Sequence, residues 1–551
     1  MFQGIFRAGG RHSIGLRQLA LRAVGRERNR HFSSFPFSKR PFSDSKGYAR
    51  SFLAVVGVSP LIAYLANEDS VSAADNYISR KDVARHNSIK RGVWVTFNGQ
   101  VYDVTKFVAD HPGGRDKIML AAGGALEPLW RMYPLHTSTS KAEVEGILKQ
   151  YYIGDLDPSE EAPQDQRRDE NDPWRNEPER HPALKAHGTF PFNAETPTTL
   201  IPDNFTTSNE LYYVRHHHPV PQVDASTYTL GIKTPTGRVE LTLDDIKRNF
   251  KKRSVTMTMQ CGGNRRGDLA PGGKTKGIQW GEGAISTATW SGARLSDVLE
   301  SMGVTYDEAE RCGWQHIQFV PLDPPYDASV PLHKGLERRG DVILAYEMNG
   351  EEIPPDHGYP IRVLIPGTIG ARSVKWLKEI VLRKDEAESG WQRNVQYKSF
   401  SSNIKSFTGI DPSKAMSVQS MPIQSAICTP ASGSVVEIDE DEPVIDVAGY
   451  AWSGGGQKII RVEVSCDGGE TWKEAELNDG NDQEIDRAWA WTLWNAEVKL
   501  PADALSKKRA TLVVRAVDSN CNQQPERVAS VWNLRGILNN AYHNVSVEIE
   551  T

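Results

Sequence analysis

The chain has 551 residues, which at roughly 150 residues per domain suggests three or four domains. Charged residues make up 25% and hydrophobic residues 38%, a globular balance that excludes a wholly disordered, collagen-like or polytopic membrane protein. Lys and Arg number 65 against 70 Asp and Glu, so the net charge of −5 lacks the basic excess of a nucleic-acid-binding protein.

Residues 1–50 carry nine arginines but only two acids, Glu27 and Asp44, and serines cluster from Ser33 to Ser45. Arg-rich, Ser-rich and acid-poor is the composition of a mitochondrial presequence. Phe52–Ala66 follows as an uncharged apolar stretch of 15 residues broken by Pro60, shorter than the ~20 residues that span a bilayer. A targeting stretch followed by a short apolar stop is similar to the bipartite signals of the mitochondrial intermembrane space. Residues 1–70 are therefore expected to be presequence and sorting segment, leaving no stable membrane span in the mature form. An uncleaved inner-membrane anchor is the alternative.

The segment 76–155 has the length of a small α+β domain. Val93–Phe97 and Gln100–Val104 read as strands joined at Asn98-Gly99, a hairpin signal. Asp110-His111-Pro112-Gly113-Gly114 comes next, and His136 follows 25 residues after His111. The two histidines cannot share a helical face, but they can meet if two elements close over a cofactor. Imidazole is a common neutral ligand for iron. Val101–Thr105, the HPGG run and the downstream histidine together resemble the cytochrome b5 family. That resemblance implies His111 and His136 as axial ligands of a b-type haem that moves electrons for a redox partner. Asp155–Arg180 then holds ten acids, four arginines and four prolines, so 156–184 reads as an acidic flexible linker.

From 185 to 415 the pattern is mixed α/β. His216-His217-His218 invites a metal reading, but neighbours in an extended chain point to opposite faces. Met259-Gln260-Cys261-Gly262-Gly263-Asn264-Arg265-Arg266 is the stronger motif. A thiolate is a soft metal ligand, and two nearby guanidiniums favour the thiolate and hold an anion. Alone, the motif is equally a buried cysteine beside a surface arginine pair. The four other cysteines form no CxxC pair, so neither a disulfide framework nor a Cys-based zinc site is expected. From 416 to 551, alternating segments such as Ile460–Val464 and Thr511–Val517, separated by turns, predict an immunoglobulin-like β-sandwich. Trp489, Trp491 and Trp494 are expected in its core.

The ordered set Met259–Arg266, Trp280–Thr287, Leu344–Gly350, His357–Arg362 and Gly370–Trp376 resembles the sulfite oxidase family of molybdopterin enzymes, in its animal and fungal mitochondrial form. The resemblance implies Cys261 as the protein thiolate on molybdenum. It implies that Tyr213, Val214, Arg215, His216, His217, Asp323, His357, Arg362, Ser373, Val374 and Lys375 hold the molybdenum cofactor through its pterin and phosphate. An oxyanion pocket of Arg215, Arg266, Trp280, Tyr397 and Arg535 is implied as well, with Tyr397 a hydrogen-bonding or proton-transfer group. The expected activity is oxidation of sulfite to sulfate with oxygen from water, electrons passing singly through haem b to cytochrome c. The expected assembly is a homodimer through the sandwich. The sequence departs from the family pattern at His216 (usually Asn), His218 (usually Leu) and Gly262 (usually Ala), which removes no ligand or charge. A nitrate-reductase-like molybdoenzyme shares both modules but places the haem module second, whereas here it comes first. A catalytically silent haem electron carrier has no use for Cys261 beside the arginines.

Overall fold

The computed structural model describes residues 77–130, 136, 141–159, 172–234, 237–322 and 326–551. The expected presequence and apolar segment, and Asp323, lie outside these residues. No helix among the described residues is long and apolar enough to cross a membrane.

The haem-type module forms as its hairpin signal predicts. Strands β1 (Gly92–Phe97) and β2 (Gln100–Asp103) pair antiparallel with Phe97 opposite Gln100. Asn98 and Gly99 close the turn at φ 50° and 77°, the left-handed pair that a type I′ hairpin needs. Helices α1 (Arg115–Met119) and α2 (Lys141–Lys149) follow, and β3 (Tyr152–Leu156) returns antiparallel beside β2. Val93, Val95, Val104, Val108 and Trp130 fill its core. The module meets the rest of the chain through Ala183, Leu200 and Leu211, which join its hydrophobic cluster, and through Lys117, whose ammonium lies 2.7 and 2.6 Å from the two carboxylate oxygens of Asp203. The expected linker is described only at its ends, and its last part is not a free tether. Glu177 and Arg180 are partly buried, and Arg180 is paired with Asp356 176 residues away.

Two sheets build the catalytic-type domain. Short strands β4 (Phe192–Glu195) and β5 (Val214–Arg215) pair antiparallel at its edge. Strands β6 (Thr229–Thr234) and β7 (Gly237–Thr242) form a hairpin that runs into α3 (Leu243–Asn249), which Thr242 and Asp245 cap reciprocally. Then come β8 (Lys252–Gln260), β9 (Ile285–Arg294), β10 (His316–Pro321), β11 (Ala328–Pro331), β12 (Ile343–Met348), β13 (Arg362–Leu364) and β14 (Leu377–Arg383). One sheet has the order β7-β6-β14-β10-β11, with β6 and β14 parallel, and the other runs β8-β9-β12 with β13 on β12. Leu230, Ile232, Phe319 and Ile380 of the first sheet pack with Ala293, Leu344 and Val363 of the second, so the core is the layer between them.

The C-terminal residues form the expected sandwich. Its strands are β15 (Gln424–Thr429), β16 (Val444–Trp452), β17 (Ile459–Ser465), β18 (Thr492–Lys499), β19 (Arg509–Asp518) and β20 (His543–Glu550). Sheet β15-β16-β18 faces sheet β20-β19-β17. Trp494 is in the core between them. Trp491 is fully buried at the seam with the catalytic-type domain. Its backbone N–H donates to Thr258 Oγ1 at 2.7 Å, and its indole N–H donates to the Phe205 carbonyl at 2.9 Å. Truncating a buried tryptophan costs ~3–5 kcal/mol. Trp491→Ala is therefore expected to lower the melting temperature of both domains together in scanning calorimetry.

Candidate active site

Strand β4 is four buried residues, Phe-Asn-Ala-Glu. Alternation along a strand sends Phe192 and Ala194 to one face and Asn193 and Glu195 to the other. The apolar pair packs with Leu184 and Val214. The polar pair positions the site. Asn193 Oδ1 accepts from Arg215 Nη1 at 2.9 Å and from the His216 backbone N–H at 3.0 Å. The Glu195 carboxylate accepts from the Gly281 and Gly283 backbone N–H groups, which holds the loop carrying Trp280. Neither Asn193 nor Glu195 was identified from sequence, although the apolar–polar alternation of β4 marks them.

Cys261 follows the last residue of β8, and its N–H donates to the Ala284 carbonyl at 2.9 Å. Tight turns then carry the chain through Gly263 to Arg266. Of the two expected guanidiniums, only Arg266 faces the thiol. Arg265, at φ 58°, turns away and is buried against Asp268 and the carbonyls of Ser425, Ala541 and Tyr542 in the sandwich. Arg266 lies in a slot walled by three glycines. A Cβ would stand 2.4 Å from its side chain at Gly263, 2.9 Å at Gly277 and 2.7 Å at Gly536. Its guanidinium donates to the carbonyls of Ile278, Arg535 and Gly536, and burial lowers its pKa.

A cleft runs from Cys261 past Tyr213, Arg215, His216, His217, His357, Arg362, Ser373, Val374 and Lys375, so these expected residues meet in space. Val214 does not join them, because its side chain is on the opposite face of β5, in the cluster with Phe192. Arg362 donates to the carbonyls of His357 and Ser373, each at 2.7 Å, and burial brings its pKa down to about 10. Burial likewise lowers His357 to about 4 and His216 to about 3, so both imidazoles are neutral at pH 7. Burial alone would raise the Asp356 carboxyl, but hydrogen bonds from His216 and Arg180 outweigh it and hold the group below its usual range. Tyr212 and Trp376, not singled out from sequence, also line the cleft.

The cleft opens into a second, smaller cavity lined by Arg215, His217, Cys261, Arg266, Trp280, Trp391, Tyr397 and Arg535. No carboxylate lines either part among the described residues. Three guanidiniums thus converge on one thiol without a compensating anion, which is the chemistry of an oxyanion site. Tyr397 Oη is 2.9 Å from Tyr326 Oη, and Tyr326 packs against His217 and Trp391 with centroids 4.5 and 4.9 Å away. Sequence reasoning missed Tyr326 and Trp391, which carry no motif.

The residues present fit a large anionic cofactor. Tyr212 Oη and Arg362 Nε are buried on the cleft wall and have no hydrogen-bond partner among the described residues. The haem-type module fits its group as well. The rings of His111 and His136 have centroids 6.4 Å apart, which leaves a gap for one metal ion between nitrogens at ~2 Å each. His111 Nδ1–H donates to the Gly114 carbonyl at 3.1 Å, which leaves Nε2 as the ligand atom.

Comparison with known proteins agrees with this geometry. Residues 79–157 match the family described as "Cytochrome b5-like Heme/Steroid binding domain", residues 217–391 "Oxidoreductase molybdopterin binding domain", and residues 415–550 "Mo-co oxidoreductase dimerisation domain". The chain is 43% identical to mitochondrial sulfite oxidase of Rattus norvegicus, covering 92% of this chain and 91% of the relative. It is 46% identical to sulfite oxidase of Gallus gallus, covering 84% and 98%. Among solved structures, the sulfane dehydrogenase SoxCD of Paracoccus pantotrophus superposes with a TM-score of 0.52 at 22% identity, over 72% of this chain and 100% of that one, which is a likeness of fold.

Two outcomes follow from the site's packing. Gly277 has φ +125°, and an added Cβ meets Arg266. Gly277→Ala is expected to weaken binding of sulfate, used as an oxyanion probe, about tenfold by calorimetric titration, the loss of one charged hydrogen bond. His216 and His357 have folded pKa values of about 3 and about 4 against an ordinary 6.5. The unfolded chain therefore binds more protons below pH 6.5, and stability falls as pH drops from about 6.5 toward 4. His357→Gln should flatten that slope in denaturant titrations across the window.

Proposed function

The chain belongs to the sulfite oxidase family, and from that premise we propose that it oxidises sulfite to sulfate at a molybdenum centre that Cys261 would hold and passes the electrons singly through its haem to cytochrome c. It is a mitochondrial molybdenum oxidoreductase that carries a molybdopterin cofactor and a haem, and it dimerises through residues 415–550. The arginine-rich composition of 1–50 and the short apolar stretch after it support the intermembrane space as its compartment.

The observation that carries this reading is the convergence of Arg215, Arg266 and Arg535 on the Cys261 thiol in a cavity with no lining carboxylate among the described residues. Molybdenum in its pterin cofactor supplies the two-electron oxygen-transfer chemistry, and the haem supplies the one-electron steps. The protein's own groups do the rest. Cys261 would hold the metal, and Arg362, His357, Ser373 and Lys375, which line the cleft, would hold the pterin and its phosphate. The forked guanidiniums of Arg215, Arg266 and Arg535 bind the oxygens of sulfite and orient its lone pair. Trp280, fully buried beside them, keeps water out of that end. The Tyr397 and Tyr326 hydroxyls share a hydrogen bond at 2.9 Å, and with Tyr326 as the donor the Tyr397 hydroxyl proton is free to point at the anion. His111 and His136 would hold the haem iron, and with both imidazoles bound the haem would supply electron transfer alone.

The test is sulfite-dependent reduction of cytochrome c by the purified holoprotein, with molybdenum quantified in the same sample. Reduction by a molybdenum-loaded sample is the expected result. A fully loaded protein that reduces neither cytochrome c nor ferricyanide with sulfite would overturn the proposal. Arg215→Gln is expected to raise the sulfite KM more than about tenfold, since charged hydrogen bonds contribute ~1.5–3 kcal/mol each. An unchanged KM would remove Arg215 from the pocket.

A further inference from the structure

The stretch expected as a tether ends in a buried ion-pair relay that reaches the cofactor cleft. Arg180 Nε donates to Asp356 Oδ2 at 3.0 Å and Arg180 Nη2 donates to Oδ1 at 2.8 Å, a two-pronged pair. Asp356 Oδ1 also accepts from His216 Nε2 at 3.0 Å. His216 Nδ1 in turn accepts from Lys375 Nζ at 2.9 Å. An ammonium only donates, so this bond requires the tautomer with the proton on Nε2. Lys375 makes two further bonds, to the carbonyls of Asp356 at 2.9 Å and Arg215 at 3.3 Å. The side chains of Arg180, Asp356 and His216 are 10%, 10% and 1% exposed. The outer end is anchored too. Arg180 stacks 4.3 Å over the Phe192 ring and bonds Glu177, whose other oxygen accepts from the Val220 N–H at 2.9 Å.

We propose that Arg180 is a positioning residue of the cofactor site: its fork neutralises Asp356, so that Asp356 orients His216 without drawing the Lys375 ammonium out of the cleft. The proposal rests on the reading that Lys375 faces the anionic cofactor. Asp356 is a buried carboxylate, and a buried charge left with one neutral donor recruits the nearest cation. Without Arg180 that cation is Lys375, whose tip already sits on the Asp356 backbone carbonyl and one imidazole away from its carboxylate. The cleft would then lose a positive charge, although none of the residues lining it had changed. Arg180 thereby makes the segment in front of the catalytic-type domain part of the cofactor's binding shell.

The experiment compares cofactor retention in full-length holoproteins: wild type, Arg180→Met, Arg180→Lys, the double variant Arg180→Met with Asp356→Asn, and Lys375→Ala. Molybdenum per chain and pterin fluorescence after oxidation are followed during dialysis, with haem absorbance per chain as the internal reference. Arg180→Met is expected to lose molybdenum about tenfold faster than wild type, the equivalent of one charged hydrogen bond, with haem unchanged. The double variant is expected to recover most of the retention, because no unpaired carboxylate remains. If it does not recover, Arg180 acts only by packing on Phe192 and the proposal fails. Wild-type retention in Arg180→Met, with loss in Lys375→Ala, overturns the proposal and leaves the cofactor reading intact. Wild-type retention in both overturns the two together. Should Arg180→Met not fold, Arg180→Lys decides the matter, since it keeps the charge and stem but not the fork: faster loss supports the proposal, and wild-type retention overturns it.

Discussion

Around the active site, buried cations are held mainly by backbone carbonyl oxygens. Arg266 donates to the carbonyls of Ile278, Arg535 and Gly536, and Arg362 to those of His357 and Ser373. Lys375 donates to those of Arg215 and Asp356. A carbonyl satisfies the donor's hydrogen bond without cancelling its charge, whereas a carboxylate does both. The cleft and the pocket beside Cys261 therefore retain positive potential in a dry setting, where it acts strongly on an anion. A site that must hold a phosphate-bearing cofactor at one end and a small oxyanion at the other needs that retained charge. Asp356, a carboxylate close behind the cleft, is occupied by Arg180 and His216.

That constraint shapes the architecture. The carbonyls that hold Arg266 come partly from Arg535 and Gly536, far along the chain, and Arg535 itself lines the pocket. Arg265 turns the other way and fastens the same loop to Ser425, Ala541 and Tyr542. The C-terminal sandwich is thus a wall of the active site as well as a dimerisation domain. Trp491, donating to Thr258 and Phe205 across the seam, fixes the distance at which the wall stands. The three glycines around Arg266 follow from the same requirement, since a guanidinium bonded to carbonyls on several sides leaves no room for Cβ atoms.

The haem-type module is built on different terms. Its core cluster takes in Ala183, Leu200 and Leu211 from beyond the module beside its own Val93, Val95 and Trp130, and Lys117 pairs with Asp203. The partly exposed ion pair itself contributes little to stability, so the module is joined mainly by that apolar packing. Its two candidate iron ligands, His111 and His136, both come from within the module. The molybdenum site, by contrast, draws on segments from Asn193 to Gly536.

Short-range features were legible in the order of residues. The Asn98-Gly99 hairpin, the alternating strands of the sandwich and the core position of Trp494 follow from local pattern, because a turn or a strand face is set by neighbours a few residues apart, whereas Trp489 and Trp491 precede the strand and are buried against the catalytic-type domain instead of in the sandwich core. The motif around Cys261 and the resemblance it carries located most residues of the cleft. Local pattern did not separate Arg265 from Arg266, which are adjacent and chemically identical, because one left-handed backbone residue turns Arg265 away from the pocket that Arg266 lines. Nor did it exclude Val214, whose strand face points away from the cleft. Tyr326, Trp391 and the Arg180–Asp356 pair had no local signature, and 176 residues separate the two members of that pair. Residue chemistry is a local property, but a site that keeps its charge by borrowing carbonyls and counterions from remote segments comes into being only when packing brings those segments together.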